Sequence, residues 1–140
     1  MQFRSLAQAL VLVGASLICS SSVVHCIGLE DKPRAMLLIV ESDNGRTVDI
    51  RLGESVRINL SENATTGYRW TIDRYDEELI EALSTKSHYP PNTIGVGGEV
   101  SFIFRGKKIG TGEIVLKHWR HWEGDPSVTT RFRIWLRVRP

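Results

Sequence analysis

The chain has 140 residues, of which 41% are hydrophobic and 24% are charged, and its formal net charge is +2. This composition is ordinary for a soluble folded domain and excludes the disordered, collagen-like and low-complexity classes. Basic and acidic residues are interleaved, so nothing indicates a nucleic-acid partner. The 2 cysteines are too few for a disulfide-dense scaffold, and the length predicts one domain.

The N-terminal segment, residues 1–26, is typical of a secretory signal peptide. Arg4 supplies a positive charge, residues 6–18 are almost entirely apolar, and small residues follow at 19–22. The apolar stretch is short for a membrane span, which needs about 20 residues. An uncleaved anchor or a buried N-terminal helix is the alternative. We expect cleavage after Cys26 or Ser22 and a mature domain over residues 27–140 without membrane attachment. Its predicted location is outside the cell, in the secretory or endolysosomal pathway, or in a bacterial periplasm.

The remainder of the chain is predicted to form β-strands. In residues 131–139, four apolar residues alternate with arginines and a tryptophan, and this period of two predicts a strand with one buried face. Similar patterns predict strands at residues 36–40, 47–51, 56–60, 68–72, 100–105 and 112–119. Residues 43–45, Asp-Asn-Gly, are typical of a hairpin turn, and residues 76–83 have a short helical pattern. We expect an all-β fold, an immunoglobulin-like antiparallel β-sandwich of about seven or eight strands, with a small barrel as the alternative.

Three segments between these strands are candidates for a binding site. The first, here called the threonine loop, comprises residues 63–68, Asn-Ala-Thr-Thr-Gly-Tyr. Asparagine and threonine side chains bond to nearby backbone and fix the shape of a loop, and Gly67 permits a φ angle that other residues avoid. A stiff polar turn without any partner would have the same composition.

The second segment, here called the glycine loop, comprises residues 95–98, Gly-Val-Gly-Gly. A glycine loop that binds phosphate opens a helix. Residues 99–104 are instead predicted to form a strand, so nucleotide binding is not expected. The segment is either a long hairpin loop or a tip that lets another backbone approach closely.

The third segment, here called the tryptophan loop, comprises residues 120–126, Arg-His-Trp-Glu-Gly-Asp-Pro. Tryptophan and arginine are enriched among residues that anchor interfaces, so an exposed Trp122 would indicate a partner. The alternative is that Trp122 fills the core, although Trp119 could take that place instead. His118, His121 and Glu123 do not predict a metal site, because the two histidines would face opposite sides of a strand. No cofactor is expected.

The three loops are expected to share one end of the domain. In a β-sandwich, alternate loops gather at the same end. Counting the predicted strands places one other loop between the first and second segments, and one between the second and third. The arrangement would resemble a wedge that fits a cleft.

Together the segments resemble the chagasin-type inhibitors of cysteine peptidases. That family has the pattern Asn-Pro-Thr-Thr-Gly followed by Tyr or Phe, then Gly-x-Gly-Gly, then Arg-Pro-Trp, on an immunoglobulin-like sandwich. The resemblance covers the whole predicted domain in order and spacing. The residues at the pattern positions are the candidate peptidase-binding residues: Asn63, Ala64, Thr65, Thr66, Gly67, Tyr68, Gly95, Val96, Gly97, Gly98, Arg120, His121 and Trp122.

The resemblance implies reversible, tight-binding, competitive inhibition of papain-like cysteine peptidases by a monomer that does no chemistry itself. Papain and peptidases like cathepsin L or cathepsin B are the expected partners. The threonine loop would enter the active-site cleft, with Thr65 closest to the catalytic residues, and the other two loops would clamp the sides. Ala64 and His121 stand where the family has proline, which we expect to loosen the free loops. An exported adhesion or carbohydrate-binding module is the alternative function.

The alanine at position 64 also creates a formal N-glycosylation acceptor. Asn-x-Thr is an acceptor only when x is not proline, so Asn63 qualifies, as does Asn59 within a predicted strand. A branched glycan on Asn63 would stand in the loop that must enter the cleft. We therefore expect the active secreted form to carry no glycan there.

Overall fold

The computed structural model describes residues 36–92 and 95–140. The predicted signal peptide and its cleavage sites lie outside the described residues. The described chain forms three single 3₁₀ turns and eight strands: β1 (Leu37–Ile39), β2 (Thr47–Arg51), β3 (Ser55–Glu62), β4 (Arg69–Tyr75), β5 (Ile80–His88), β6 (Gly98–Gly106), β7 (Gly110–Trp119) and β8 (Thr130–Arg139). None of the helices in this part of the chain has the length and hydropathy that crossing a bilayer requires.

The strands form two four-stranded sheets that enclose one apolar core. The strand order is β1-β3-β6-β5 in the first sheet and β2-β8-β7-β4 in the second. This confirms the predicted β-sandwich. The central pairings are antiparallel, but the edge strands β1 and β2 run parallel to β3 and β8.

The core consists of the inward-facing residues of the alternating strands. In β8, Phe132, Ile134, Leu136 and Val138 are at most 2% exposed, whereas the residues between them are half-buried or exposed. The β3–β6 pairing contributes three further buried rows: Val56–Phe104, Ile58–Phe102 and Leu60–Val100. Burying one such side chain is favourable by about 1.5–3 kcal/mol. The alternation therefore decides which face each strand turns inward.

The helix predicted within residues 76–83 is wrong, because the second half of that segment belongs to β5. Ile80 is fully buried in the core and pairs with Gly106 of β6. Helix propensity is a weak preference of less than about 1 kcal/mol per residue. The ladder with β6 and the burial of Ile80 outweigh it.

The hairpin turn predicted at residues 43–45 is also wrong. A 3₁₀ turn over Glu41–Asp43 and the following residues carry the chain from β1 to β2, which lie in different sheets. Gly45 has a φ of 82°, the left-handed conformation that glycine adopts in turns. The local turn signal was thus correct, but a turn signal does not say whether its two flanking strands pair.

Gly106 marks a place where the sheets approach closely. A Cβ there would lie 2.8 Å from Cγ2 of Val138 and 3.0 Å from Cδ1 of Ile50. We expect Gly106→Ala to lower the free energy of unfolding by about 1–3 kcal/mol. Because Val138→Ala makes room for the new methyl group, the double variant should lose less than the sum of the two single losses. Chemical denaturation of the four proteins measures this, and strict additivity would contradict the close approach.

Candidate functional site

The register of the strands brings the three loops to one end of the sandwich. Glu62, the last residue of β3, pairs with Gly98, the first residue of β6. Arg69, at the start of β4, pairs with Trp119, at the end of β7. The first residues of β8 pair with the last residues of β7. The threonine, glycine and tryptophan loops therefore leave the sheets on the same side, as the strand count predicted.

The threonine loop is a single 3₁₀ turn over Ala64–Thr66 that is capped by Asn63. Oδ1 of Asn63 accepts hydrogen bonds from the backbone N–H of Thr65 at 3.1 Å and from the Thr65 hydroxyl at 2.6 Å. The hydroxyl of Thr66 donates to the Asn63 carbonyl at 2.7 Å. Gly67 follows with a φ of 77°. The loop is therefore held by its own side chains, and the turn forms without a proline at position 64.

Arg120 joins the tryptophan loop to the threonine loop. Its Nε and Nη2 donate to the carbonyl oxygen of Thr66 at 3.1 and 3.0 Å. Its guanidinium lies over the ring of Tyr68, 4.4 Å from the ring centroid, and Nη1 lies 3.2 Å from Oε1 of Glu123. A planar guanidinium that is engaged on all three sides has little freedom left. It therefore sets the spacing of the two loops.

Trp122 is the most exposed large apolar side chain in the described part of the chain, at 61%. Its ring covers Gly67, where an added Cβ would lie 2.5 Å from Cη2. The ring of His121 packs edge-on against it, with the centroids 5.1 Å apart. The alternative of a core Trp122 is therefore wrong. The core tryptophan is Trp70, at 9% exposure, and Trp119 is only half-buried.

The glycine loop runs close to neighbouring backbone. A Cβ on Gly98 would lie 2.5 Å from the last carbonyl oxygen of β5, whereas one on Gly97 would make an ordinary contact, 3.6 Å from the carbonyl oxygen of Glu62. Gly98 already belongs to β6. The tip residues Gly95 and Val96 are exposed. The loop lies in the connection between β5 and β6, which pair antiparallel, so the long hairpin loop, one of the two alternatives, is correct. At its end, Gly98 also lets the β5 backbone approach closely.

Glu62 and Ser127 lie at this end but are not among the residues that the sequence pattern predicted for the site. Glu62 is 3% exposed, and its signal was present, because it continues the inward series Val56, Ile58 and Leu60 in β3. The hydroxyl of Ser127 closes the tryptophan loop, because it accepts from the backbone N–H of Arg120 and donates to the carbonyl oxygen of Gly124. No local pattern marks that serine.

His118 packs at the base of the threonine loop, with its ring centroid 5.4 Å from that of Tyr68 and 4.9 Å from that of Trp70. Its Nδ1 lies 3.1 Å from the hydroxyl of Thr129. Nε2 is shielded from water and has no hydrogen-bond partner within residues 36–92 and 95–140. Burial therefore lowers the pKa of His118 below 6.5, although two carboxylates oppose the shift.

The depressed pKa of His118 predicts a loss of stability in mild acid. Below about pH 6.5 the unfolded chain binds the proton more readily than the folded chain, so the free energy of unfolding falls as the pH decreases. We expect His118→Gln to weaken this dependence between about pH 7.5 and pH 5.5. The matched control is His88→Gln, at an exposed position of β5, which should keep the wild-type dependence. Denaturation across this range measures both, and equal slopes for wild type and His118→Gln would contradict the assignment.

Comparison with known proteins identifies the family of this chain. A family model described as "Chagasin family peptidase inhibitor I42" matches residues 49–135, a range that includes all three loops. Chagasin of Trypanosoma cruzi is 31% identical over 105 residues, which cover 71% of this chain and 96% of chagasin. Amoebiasin-1 of Entamoeba histolytica is 32% identical over 92 residues, which cover 66% of this chain and 90% of that protein.

A solved structure is similar as well. The crystal structure of a cysteine protease inhibitor from Entamoeba histolytica matches with a TM-score of 0.64 at 22% identity, and the match covers 74% of this chain and 96% of that one. It supports the fold, while the sequence matches support the family. The resemblance noted from the loop motifs is thereby confirmed, and the chain belongs to the chagasin family of peptidase inhibitors.

Proposed function

We propose that the protein is a reversible, tight-binding, competitive inhibitor of papain-like cysteine peptidases, whose three loops enter the active-site cleft together. The family supports the activity, because its members are peptidase inhibitors rather than enzymes. The observation that carries the proposal is the contact between loops. Arg120 binds the Thr66 carbonyl, while the exposed Trp122 covers Gly67.

The threonine loop is suited to enter a cleft without being cleaved. Its backbone forms a 3₁₀ turn, in which the N–H of Thr66 donates to the Asn63 carbonyl at 3.2 Å and the N–H of Gly67 donates to the Ala64 carbonyl at 3.1 Å. A peptidase cleft that receives extended backbone would meet a closed turn instead. The peptide bonds of this turn are held out of the extended conformation, so the loop blocks the cleft as an intact chain.

The tryptophan loop contributes a support and an anchor. The guanidinium of Arg120 is occupied within the inhibitor, so its role is to hold the threonine loop. Trp122 presents most of its ring to solvent, and aromatic anchors of this kind supply much of the binding energy of an interface. His121, at the position of the family's proline, packs on the Trp122 ring and limits its motion.

A preformed surface of this type binds with a small ordering cost. Inhibitor interfaces of standard size bury roughly 1,600 Å² in total, which three loops at one end of a sandwich can supply. The cap bonds of Asn63 and the Arg120 contacts provide the stiffness that prolines would otherwise provide. Tight binding therefore does not depend on the two missing prolines.

The proposed location is the secretory or endolysosomal pathway, the cell exterior, or the periplasm of a bacterium, where the protein acts as a monomer after cleavage of its signal peptide. The support is the order of charge, apolar stretch and small residues in positions 1–26. Mass spectrometry of the mature N-terminus of secreted protein tests this. A mature chain that still begins at Met1 would contradict it.

The proposed activity is tested by titrating active papain, and a panel of peptidases like cathepsin L and cathepsin B, with the purified protein. We expect a linear loss of activity that ends at one inhibitor per enzyme, recovery on dilution, and weaker inhibition as the substrate concentration rises. No inhibition of any of these peptidases at micromolar concentration would contradict the proposal and would favour the adhesion module.

Trp122→Ala should weaken inhibition mainly through faster dissociation. Truncating an aromatic anchor often costs about 2 kcal/mol or more, which corresponds to about a 30-fold faster off-rate, since interface changes act mostly on dissociation. The matched control is Trp135→Ala in the middle of β8, where the half-buried ring lies outside the three loops. The control should dissociate like wild type. Circular dichroism should show that both variants are folded, and loss of strand signal in Trp122→Ala would mean that the side chain is structural.

The active secreted protein should carry no glycan at Asn63. In the folded chain Oδ1 of Asn63 already caps the threonine loop, and Oδ1 of Asn59 in β3 accepts from the hydroxyl of Ser101 in β6 at 2.8 Å. Early folding would therefore withdraw both acceptors from modification. Peptide mass spectrometry of native inhibitor measures occupancy. An occupied Asn63 in material that still inhibits at one-to-one stoichiometry would refute the placement of this loop in the cleft.

A further inference from the structure

One charged side chain is buried at the base of the threonine loop. Glu62 ends β3 directly before the loop, and among the residues described it is the one charged residue that is buried. Removing a carboxylate from water is costly unless hydrogen bonds replace the water. The partners of Glu62 therefore indicate what the residue holds in place.

Glu62 joins the two strands that the threonine loop connects. Its Oε2 accepts from the backbone N–H of Trp70 at 2.8 Å, and the indole N–H of Trp70 donates to the carbonyl oxygen of Ser61 at 2.9 Å. Because β3 and β4 belong to different sheets, no strand ladder holds the ends of this loop together. The carboxylate and the indole close the base of the loop instead.

The same carboxylate reaches the connection that leads into the glycine loop. Its Oε1 accepts from the hydroxyl of Tyr89, the first residue after β5. Nη1 of Arg69 donates to that hydroxyl at 2.8 Å and lies 3.4 Å from Oε1 of Glu62. The ring of Tyr89 fills the space over Gly98, where an added Cβ would overlap it. Tyr89 is thus held both at its hydroxyl and along its ring.

We propose that Glu62 is a positioning residue that couples the two loops. It holds the base of the threonine loop through Trp70 and the start of the glycine-loop connection through Tyr89, so both loops keep their binding conformation in the free inhibitor. The inference rests on the proposed function, because its benefit is affinity for a peptidase. When a binding-competent conformation is populated only part of the time, the apparent affinity falls by that fraction. Loss of the carboxylate should therefore slow association as well as raise the inhibition constant.

Glu62→Gln tests this role in the intact inhibitor. Glutamine keeps the size of the side chain but replaces one accepting oxygen with an N–H₂ group, so it cannot accept from both Trp70 and Tyr89. We expect the inhibition constant to rise about tenfold or more and the association rate to fall.

The matched control is Val138→Ala, which truncates the core beside Gly106. It should lower stability while leaving the inhibition constant within about twofold of wild type. The proposal is overturned if Glu62→Gln loses no more stability than Val138→Ala and has the same inhibition constant as that control.

Hydrogen exchange of the free inhibitor tests the coupling without a peptidase. Tyr89→Phe removes only the hydroxyl that Glu62 binds. It should speed exchange of the Thr66 and Gly67 amides, although Tyr89 lies outside the threonine loop, while amides in β7 and β8 keep their rates. If the Thr66 and Gly67 amides of Tyr89→Phe exchange at wild-type rates, the proposal is overturned. This test does not require that Glu62→Gln folds. Absence of inhibition by the wild-type protein would instead contradict the proposed function, so the two failures are distinguishable.

Discussion

The register of the antiparallel pairings is the constraint on which the rest of this structure depends. A slip of one residue between β3 and β6 would place Ile58 and Phe102, both at most 1% exposed, on opposite faces of the sheet, so that one of the two strands would turn its apolar residues toward solvent. Burial of these rows, and of the corresponding residues in β7 and β8, therefore holds each strand in one alignment. Once the strands are aligned, their ends are aligned, and the three loops that leave these ends must form one continuous surface.

The threonine and tryptophan loops bond to each other as well as within themselves. The threonine loop has its own cap, and the carbonyl oxygen of Thr66 also accepts two hydrogen bonds from Arg120 of the tryptophan loop. Trp122 lies on Gly67, a position where any side chain would displace the ring. These contacts form with alanine at position 64 and histidine at position 121. These contacts join the threonine loop to the tryptophan loop.

Charged residues have different roles inside and outside the sandwich. Arginines of β8 pair with carboxylates on other strands, as in the Arg133–Glu113 pair at 2.8 Å and the Arg137–Asp49 pair at 2.5 Å. The hydrogen bond from Arg137 lowers the pKa of Asp49 below its ordinary value. Exposed pairs of this kind contribute little stability each, and they neutralise what would otherwise be a basic stripe. Glu62 is the exception, because burial makes its hydrogen bonds a requirement of the fold.

The sequence by itself determined the features that depend on neighbouring residues. The period of two in β3, β6 and β8 predicted their buried faces, and the Asn-x-Thr-Thr-Gly segment predicted a self-capped turn, since those interactions span only a few positions. The loop motifs together also identified the family.

Only the tertiary structure decided the features that join distant residues. Whether residues 80–83 form helix or strand depended on pairing with β6. The packing of the two sheets decided that Trp70 enters the core and that Trp122 is exposed. The hydrogen bond between Glu62 and Tyr89 spans 27 positions and that between Arg120 and Thr66 spans 54. Local pattern carries no information about such contacts, because they exist only after the burial of the core has set the register of the strands.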